Sequence, residues 1–194
     1  LDRAQEVGVS IMKIDEKMDH GPILAQSHCG KLKKGFALRS GEAAGKDETL
    51  CRVFHNATYA ELYDALAHLG GKLLAETIPK WLAGEITPRE QEHEKATYTK
   101  KITKEDGLID LAGDAELNYR KFLAYTPWPG VYFFAEHNNK KLRVKITDAE
   151  LIRPDLEEGR SPGKRSGLEF VIKKVIPEGK KERSYSAFIA GASR

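Results

Sequence analysis

Residues 11–24, Ile11-Met-Lys-Ile-Asp-Glu-Lys-Met-Asp-His-Gly-Pro-Ile-Leu24, set dense turn chemistry between two apolar runs. Val9, Ile11 and Ile14 lead in, an acidic spacer follows, and Asp19 comes directly before His20, Gly21 and Pro22. Glycine supplies backbone freedom and proline closes the turn, so the stretch predicts strand, turn, strand. Asp19 then sits at a rigid loop tip, where a carboxylate can orient a histidine or a water. The plain alternative is that Asp19 only caps the turn.

Working outward, 194 residues suffice for one ordinary domain or two small ones. A hydrophobic content of 40% and a charged content of 31% suit a soluble globular chain. No apolar run approaches the ~20 residues of a membrane span, and no signal-peptide pattern opens the sequence. Cys29 and Cys51 form neither a C-x-x-C unit nor a His-flanked cluster, so free thiols, a reducing cytosol and no structural metal are expected. Charge is uneven. Residues 1–96 carry 13 Lys and Arg against 15 Asp and Glu, whereas residues 97–194 carry 19 against 14. A basic second half is the footprint expected of a polyanion partner, although a solvated lysine-rich surface looks the same by charge alone.

After the Asp19 turn, Lys31–Asn56 shows no sustained period and reads as a loop or loose hairpin with a small Lys31, Lys33, Lys34 cluster. Ala57–Gly84 reads as a helix. Thr58 and Glu61 have capping-box spacing, and Leu62, Leu66, Leu69 and Leu73 share one face. Pro79 is expected to bend or restart this helix, Gly84 to stop it, and His68 to lie partly buried beside the apolar face. Thr87–Lys95 is polar and reads as a linker. A short helix follows over Ala115–Ala124, capped by Asp114, and Thr126-Pro-Trp-Pro-Gly130 should hold Trp128 as a packed aromatic corner. Strand signals then dominate: Val131–Phe134, Lys141–Ile146 and Leu168–Ile176, with a Pro/Gly-rich loop over Leu151–Arg165 and a closing helical turn over Ser184–Ala190. In Lys141-Leu-Arg-Val-Lys-Ile146 the alternation places Leu142, Val144 and Ile146 on one face and Lys141, Arg143 and Lys145 on the other. That is a half-buried strand with a basic exposed face.

Four motifs, in order, resemble the folate-dependent formyltransferases. Gly8-Val-Ser-Ile-Met12 through Met18-Asp-His-Gly-Pro22 is similar to that family's late active-site loop, T-G-V-T-I-M followed by L-D-T-G-P, with Ser10 and His20 in place of threonines. Tyr59-Ala-Glu-Leu-Tyr63 and the residues to Gly71 resemble the helix closing the catalytic domain. R-K-x-x-A-x-T-P-W-P-G over residues 120–130 and P-x-G-K-K-x-x-S-Y over residues 177–185 resemble the carboxyl-terminal domain. The resemblance covers nearly all the chain except Lys31–Asn56, which looks like an insertion.

What the resemblance implies is as follows. The fold class is an α/β remnant, the end of a Rossmann-like catalytic domain, followed by a mainly β, OB-like antiparallel barrel. The expected divisions are residues 1–86 for the remnant, 87–96 for a linker and 97–194 for a tRNA-binding domain. Asp19 matches the Asp of the family's Asn-His-Asp trio; the N-I-H-x-S-L-L-P type segment carrying the other two is not among these residues. A carboxyl-terminal fragment without formyltransferase activity of its own is therefore expected. The branch most similar acts on initiator methionyl-tRNA, with 10-formyltetrahydrofolate as formyl donor, no metal, no membrane, and a cytoplasmic monomer. Phosphate contacts are expected from Lys100, Lys101, Lys104, Arg120, Lys141, Arg143, Lys145, Lys173, Lys180, Lys181 and Arg183. Two other readings stay open: a formyltransferase acting on a nucleotide-sugar amine or a formyl-folate hydrolase-like domain, and an RNA-binding module with a vestigial catalytic segment.

Overall fold

The computed structural model describes residues 1, 6–30, 57–137, 140–152 and 167–192. The chain divides into two compact units, one of residues 2–100 and one of residues 101–194 together with Leu1. The Lys31–Asn56 insertion, Cys51, the side chain of Cys29 and most of the Leu151–Arg165 loop lie outside the described residues.

In the first unit, β1 (Glu6–Met12) and β2 (Ile23–Gly30) form an antiparallel hairpin with Val9 opposite Ser27 and Ile11 opposite Ala25. The strands are joined by a loop over residues 13–22 in place of a tight turn, and Ile14 lies in that loop, 92% exposed. Register slips between Ile11 and Met12, and the chain folds back so closely that a Cβ on Gly21 would stand 1.7 Å from the Lys13 carbonyl oxygen. Only glycine permits that approach. The Lys13 N–H donates to the Pro22 carbonyl at 2.9 Å and ties the base of the loop.

Helix α1 (Tyr59–Leu82) begins at the capping box: the Glu61 N–H donates to Thr58 Oγ1, and the Thr58 N–H donates to Glu61 Oε2 at 2.8 Å. Leu69, with Leu62, Ala65 and Leu66 around it, packs on Val7 and Val9 of the hairpin. The helix runs through Pro79 without restarting. Pro79 lies inside the helix near its end, and its carbonyl still accepts from the Ala83 N–H at 3.0 Å, so the last turn closes beyond it. Gly84 ends the helix with φ +73°. His68 is exposed rather than partly buried, its Nδ1 2.9 Å from the Asp64 carbonyl one turn back. Residues that read as a linker are tied to this unit: Ile23 and Arg89 exchange backbone hydrogen bonds at 2.8 and 2.9 Å.

The second unit is an antiparallel sheet in the order β3-β4-β5-β6, with helices α2 and α3 packed on it. The strands are β3 (Val131–His137), β4 (Lys140–Ile152), β5 (Glu169–Pro177) and β6 (Arg183–Ser184). Helix α2 (Ala115–Tyr125) is capped by Asp114, whose Oδ1 accepts from the Leu117 N–H at 2.6 Å, and α3 spans Tyr185–Ala192. Val131, Val144, Ile146 and Val175 are fully buried, joined by Phe122 and Tyr125 of α2 and Phe188 of α3. Each such aliphatic side chain contributes about 2 kcal/mol of burial. Alternation along β4 therefore settles which face carries its cations. The register irregularity around Asp148 lets β4 run on to Ile152, well past the predicted end at Ile146. Among the described residues the sheet is open, and only an isolated parallel bridge, Leu108 with Tyr132, extends the β3 edge. The barrel closure expected from the sequence is not present among them.

Candidate catalytic loop and nucleic-acid interface

The first site is the loop between β1 and β2. Asp19 has φ +53°, a left-handed conformation that Asp and Asn tolerate better than most residues. The loop is braced by Gln91, whose Nε2 donates to the carbonyls of Asp19 at 2.9 Å and Gly21 at 2.7 Å. The Asp19 carboxylate itself is exposed and takes no hydrogen bond among the described residues. Main chain is held while the carboxylate is left available.

Four residues earlier the situation is reversed. Asp15 Oδ2 lies 2.7 Å from His20 Nδ1, and its Oδ1 accepts from the Lys17 N–H at 2.9 Å. The His20 ring stacks on His93, with centroids 3.7 Å apart and planes 3° from parallel. In this loop a carboxylate orients a histidine, His20, and the carboxylate is that of Asp15. Asp15 and His20 are five residues apart and could have been paired from the sequence, whereas Gln91 and His93 come from about 70 residues away and carry no local signal. The H-bond from His20, then that from Lys17, hold the Asp15 carboxyl below its usual value. Its stabilising effect is therefore present above the unfolded value of ~3.9 and lost as pH falls through the lowered folded one. Carbon-13 NMR should show the Asp15 carboxyl titrating below ~3.9. Titration of Asp15 at or above that value would contradict the pairing.

The second site is the outer face of the β3-β4 pair. Val144 and Ile146 point into the core, so Lys141, Arg143 and Lys145 face away from it. Diagonal neighbours on β3 underlie two of them: the Arg143 guanidinium carbon lies 3.8 Å from the Tyr132 ring centroid, and Lys141 Nζ lies 4.5 Å from that of Phe134. Stacking holds the guanidinium flat while leaving its N–H groups for an acceptor. Arg143 Nε has no hydrogen-bond partner among the described residues.

Lys145 and Arg143 also line an open cleft of about 350 Å³, together with Lys104, Trp128, Ile176 and Glu178. Trp128 is 57% exposed, not the packed corner expected. The corner packs through other residues: the Gly130 N–H donates to the Tyr125 carbonyl at 2.8 Å, and Thr126 Oγ1 donates to the Phe122 carbonyl at 2.6 Å. Gly130 at φ +79° carries the chain into β3. With proline on either side, Trp128 is displayed on a stiff support.

The remaining predicted contacts scatter. Lys100 and Lys101 are exposed at the boundary between the two units. Lys180, Lys181 and Arg183 are exposed on the β5-β6 turn and β6. Arg120 is half-buried, and its Nη1 donates to the Leu1 carbonyl at 2.5 Å. Lys173 is committed to Glu150 at 2.6 Å, and that hydrogen bond raises its pKa. Lys104, Arg143 and Lys145 are the three cations brought to one cleft. No group of His, Cys, Asp and Glu among the described residues has a metal-holding arrangement, and no described helix is long and apolar enough to cross a membrane.

An antiparallel sheet with a basic outer face, preceded by the R-K-x-x-A-x-T-P-W-P-G corner, defines a known class of domain. Residues 101–193 match the family described as "Formyl transferase, C-terminal domain". Over 95% of its length the chain is 32% identical to the methionyl-tRNA formyltransferase of Nitratidesulfovibrio vulgaris and 34% identical to that of Chloroflexus aggregans. It spans about half of each, 53% and 55% of their lengths. Among solved structures, HypX from Aquifex aeolicus in complex with tetrahydrofolic acid superposes over 98% of this chain and 31% of its own, with TM-score 0.57 at 16% identity. That likeness is one of fold.

Proposed function

We propose that this chain supplies the carboxyl-terminal half of a methionyl-tRNA formyltransferase, passing a formyl group to the amino group of methionine on initiator tRNA. The observation that carries the reading is the three-cation cleft on the outer face of the β4 strand, in a domain of the right family. The open sheet serves as an OB-like platform, and the RNA lies across Lys104, Lys141, Arg143 and Lys145. These neutralise phosphates without reading sequence. The reaction belongs to translation initiation, in the cytoplasm.

10-formyltetrahydrofolate supplies the formyl carbon. The methionine amine attacks that carbon, negative charge gathers on its oxygen, and the folate nitrogen leaves with a proton. This chain's contribution near that carbon is Asp19. A carboxylate without a hydrogen bond among the described residues, on a loop whose main chain is braced, suits a group that receives a histidine N–H from another segment and stabilises its positive charge. Asp15 is already engaged and cannot serve.

The test is tRNA binding by the chain as it stands, measured against salt. About four phosphate contacts correspond to a slope of log affinity on log salt near −3 to −4, a loss of roughly 10²-fold between 50 and 200 mM. Salt-independent binding, or none at low salt, would overturn the reading. A nucleotide-sugar amine as acceptor is disfavoured by the size of the basic face, which exceeds what a single nucleotide needs.

A further inference from the structure

The cleft holds more than cations. A surface that only neutralises a duplex backbone has no use for an indole in solvent, yet Trp128 stands 57% exposed on its stiff corner beside Lys104, Arg143 and Lys145. Its ring makes no stacking or cation contact among the described residues, whereas Tyr132 and Phe134 on the same face each lie under a cation. The cleft is open, with about 350 Å³ of space, room for one nucleoside monophosphate unit.

We infer that the cleft between the Trp128 corner, β4 and the end of β5 captures one unpaired nucleotide of an RNA strand. The base stacks on the Trp128 indole, and the phosphates that flank and follow it along the strand are met by Lys145, Arg143 and Lys104. Every base has a π-face, so stacking is tolerant of sequence, and cations along the strand fix the backbone rather than the base. Glu178, the acidic member of the lining, keeps the phosphate to the lysine and arginine side and can accept a hydrogen bond from a base amino group. The inference rests on the RNA-binding reading and narrows it: the domain holds a single-stranded element, such as an unpaired end or a flipped-out loop base, as well as a helical backbone.

Fluorescence isolates the site. With Trp81 replaced by Phe, Trp128 is the sole indole. Circular dichroism confirms the fold of each variant, and the full chain is titrated with three probes: a mixed-sequence single-stranded RNA hexamer, a blunt RNA duplex, and inorganic tripolyphosphate. Saturable quenching is expected with the hexamer and little with duplex or tripolyphosphate. W128A should weaken the hexamer roughly 5- to 150-fold while changing duplex binding little. W128Y should stand closer to the parent than to W128A. Hexamer affinity unchanged by W128A, or equal quenching by tripolyphosphate, overturns the nucleotide site and leaves a site for anions only. Failure of all RNA probes and of tRNA at low salt removes the RNA-binding reading itself.

Discussion

Asn in place of Asp19 is expected to lower formyl transfer by about 10²- to 10⁴-fold while leaving tRNA affinity unchanged. The side chain keeps its size and its exposed position, and Gln91 still holds the main-chain carbonyls of Asp19 and Gly21. Loop geometry should survive, so the loss isolates the charge. An amide can accept from a histidine N–H but does not stabilise the imidazolium that forms as the proton moves. The measurement joins this chain to the amino-terminal half of the Nitratidesulfovibrio vulgaris relative and follows formyl-Met-tRNA under single-turnover conditions. Equal turnover in the joined protein with and without the substitution would remove Asp19 from the chemistry. Asp15→Asn is the matching control. Its loss would loosen His20 and should cost far less than Asp19→Asn.

Exchanging Lys104, Arg143 and Lys145 together for Gln should reduce tRNA affinity by roughly 10²- to 10³-fold near 0.1 M salt and flatten the salt slope by about 3. The three side chains converge on one cleft, so their effects should exceed those of three scattered lysines. Lys173→Gln provides the contrast. Its charge is already spent on Glu150 at 2.6 Å, and exposed pairs of that kind contribute little, so affinity should move by less than about 3-fold. If Lys173→Gln matched the triple variant, binding would follow net charge and not the cleft. All four positions are surface-facing, whereas the sheet's core stands on Val131, Val144, Ile146 and Val175, so the fold is not at risk.

Much of the local structure was legible in residues a few positions apart. The capping box at Thr58 and Glu61, the Asp114 cap, the glycine stop at Gly84 and the alternation along Lys141–Ile146 each predict an element that is present. These signals act through the chain's own backbone, so the sequence contains their whole cause. Boundaries drifted where packing took over. β4 runs to Ile152 because β5 pairs with it past the Asp148 irregularity, and α1 continues past Pro79 to Leu82 with the Ala83 N–H bonded back to the Pro79 carbonyl.

Sequence by itself determined the order of elements, the basic bias of the second half, and which side of β4 is charged. Tertiary structure alone decided the rest. It set Tyr132 under Arg143, spent Lys173 on Glu150, braced the Asp19 loop with Gln91 and stacked His20 on His93, and turned Trp128 outward. The physical reason is range. Propensity and periodicity are local, but an ion pair, a ring stack or a solvent-facing indole depends on which distant segment the fold brings within a few ångströms.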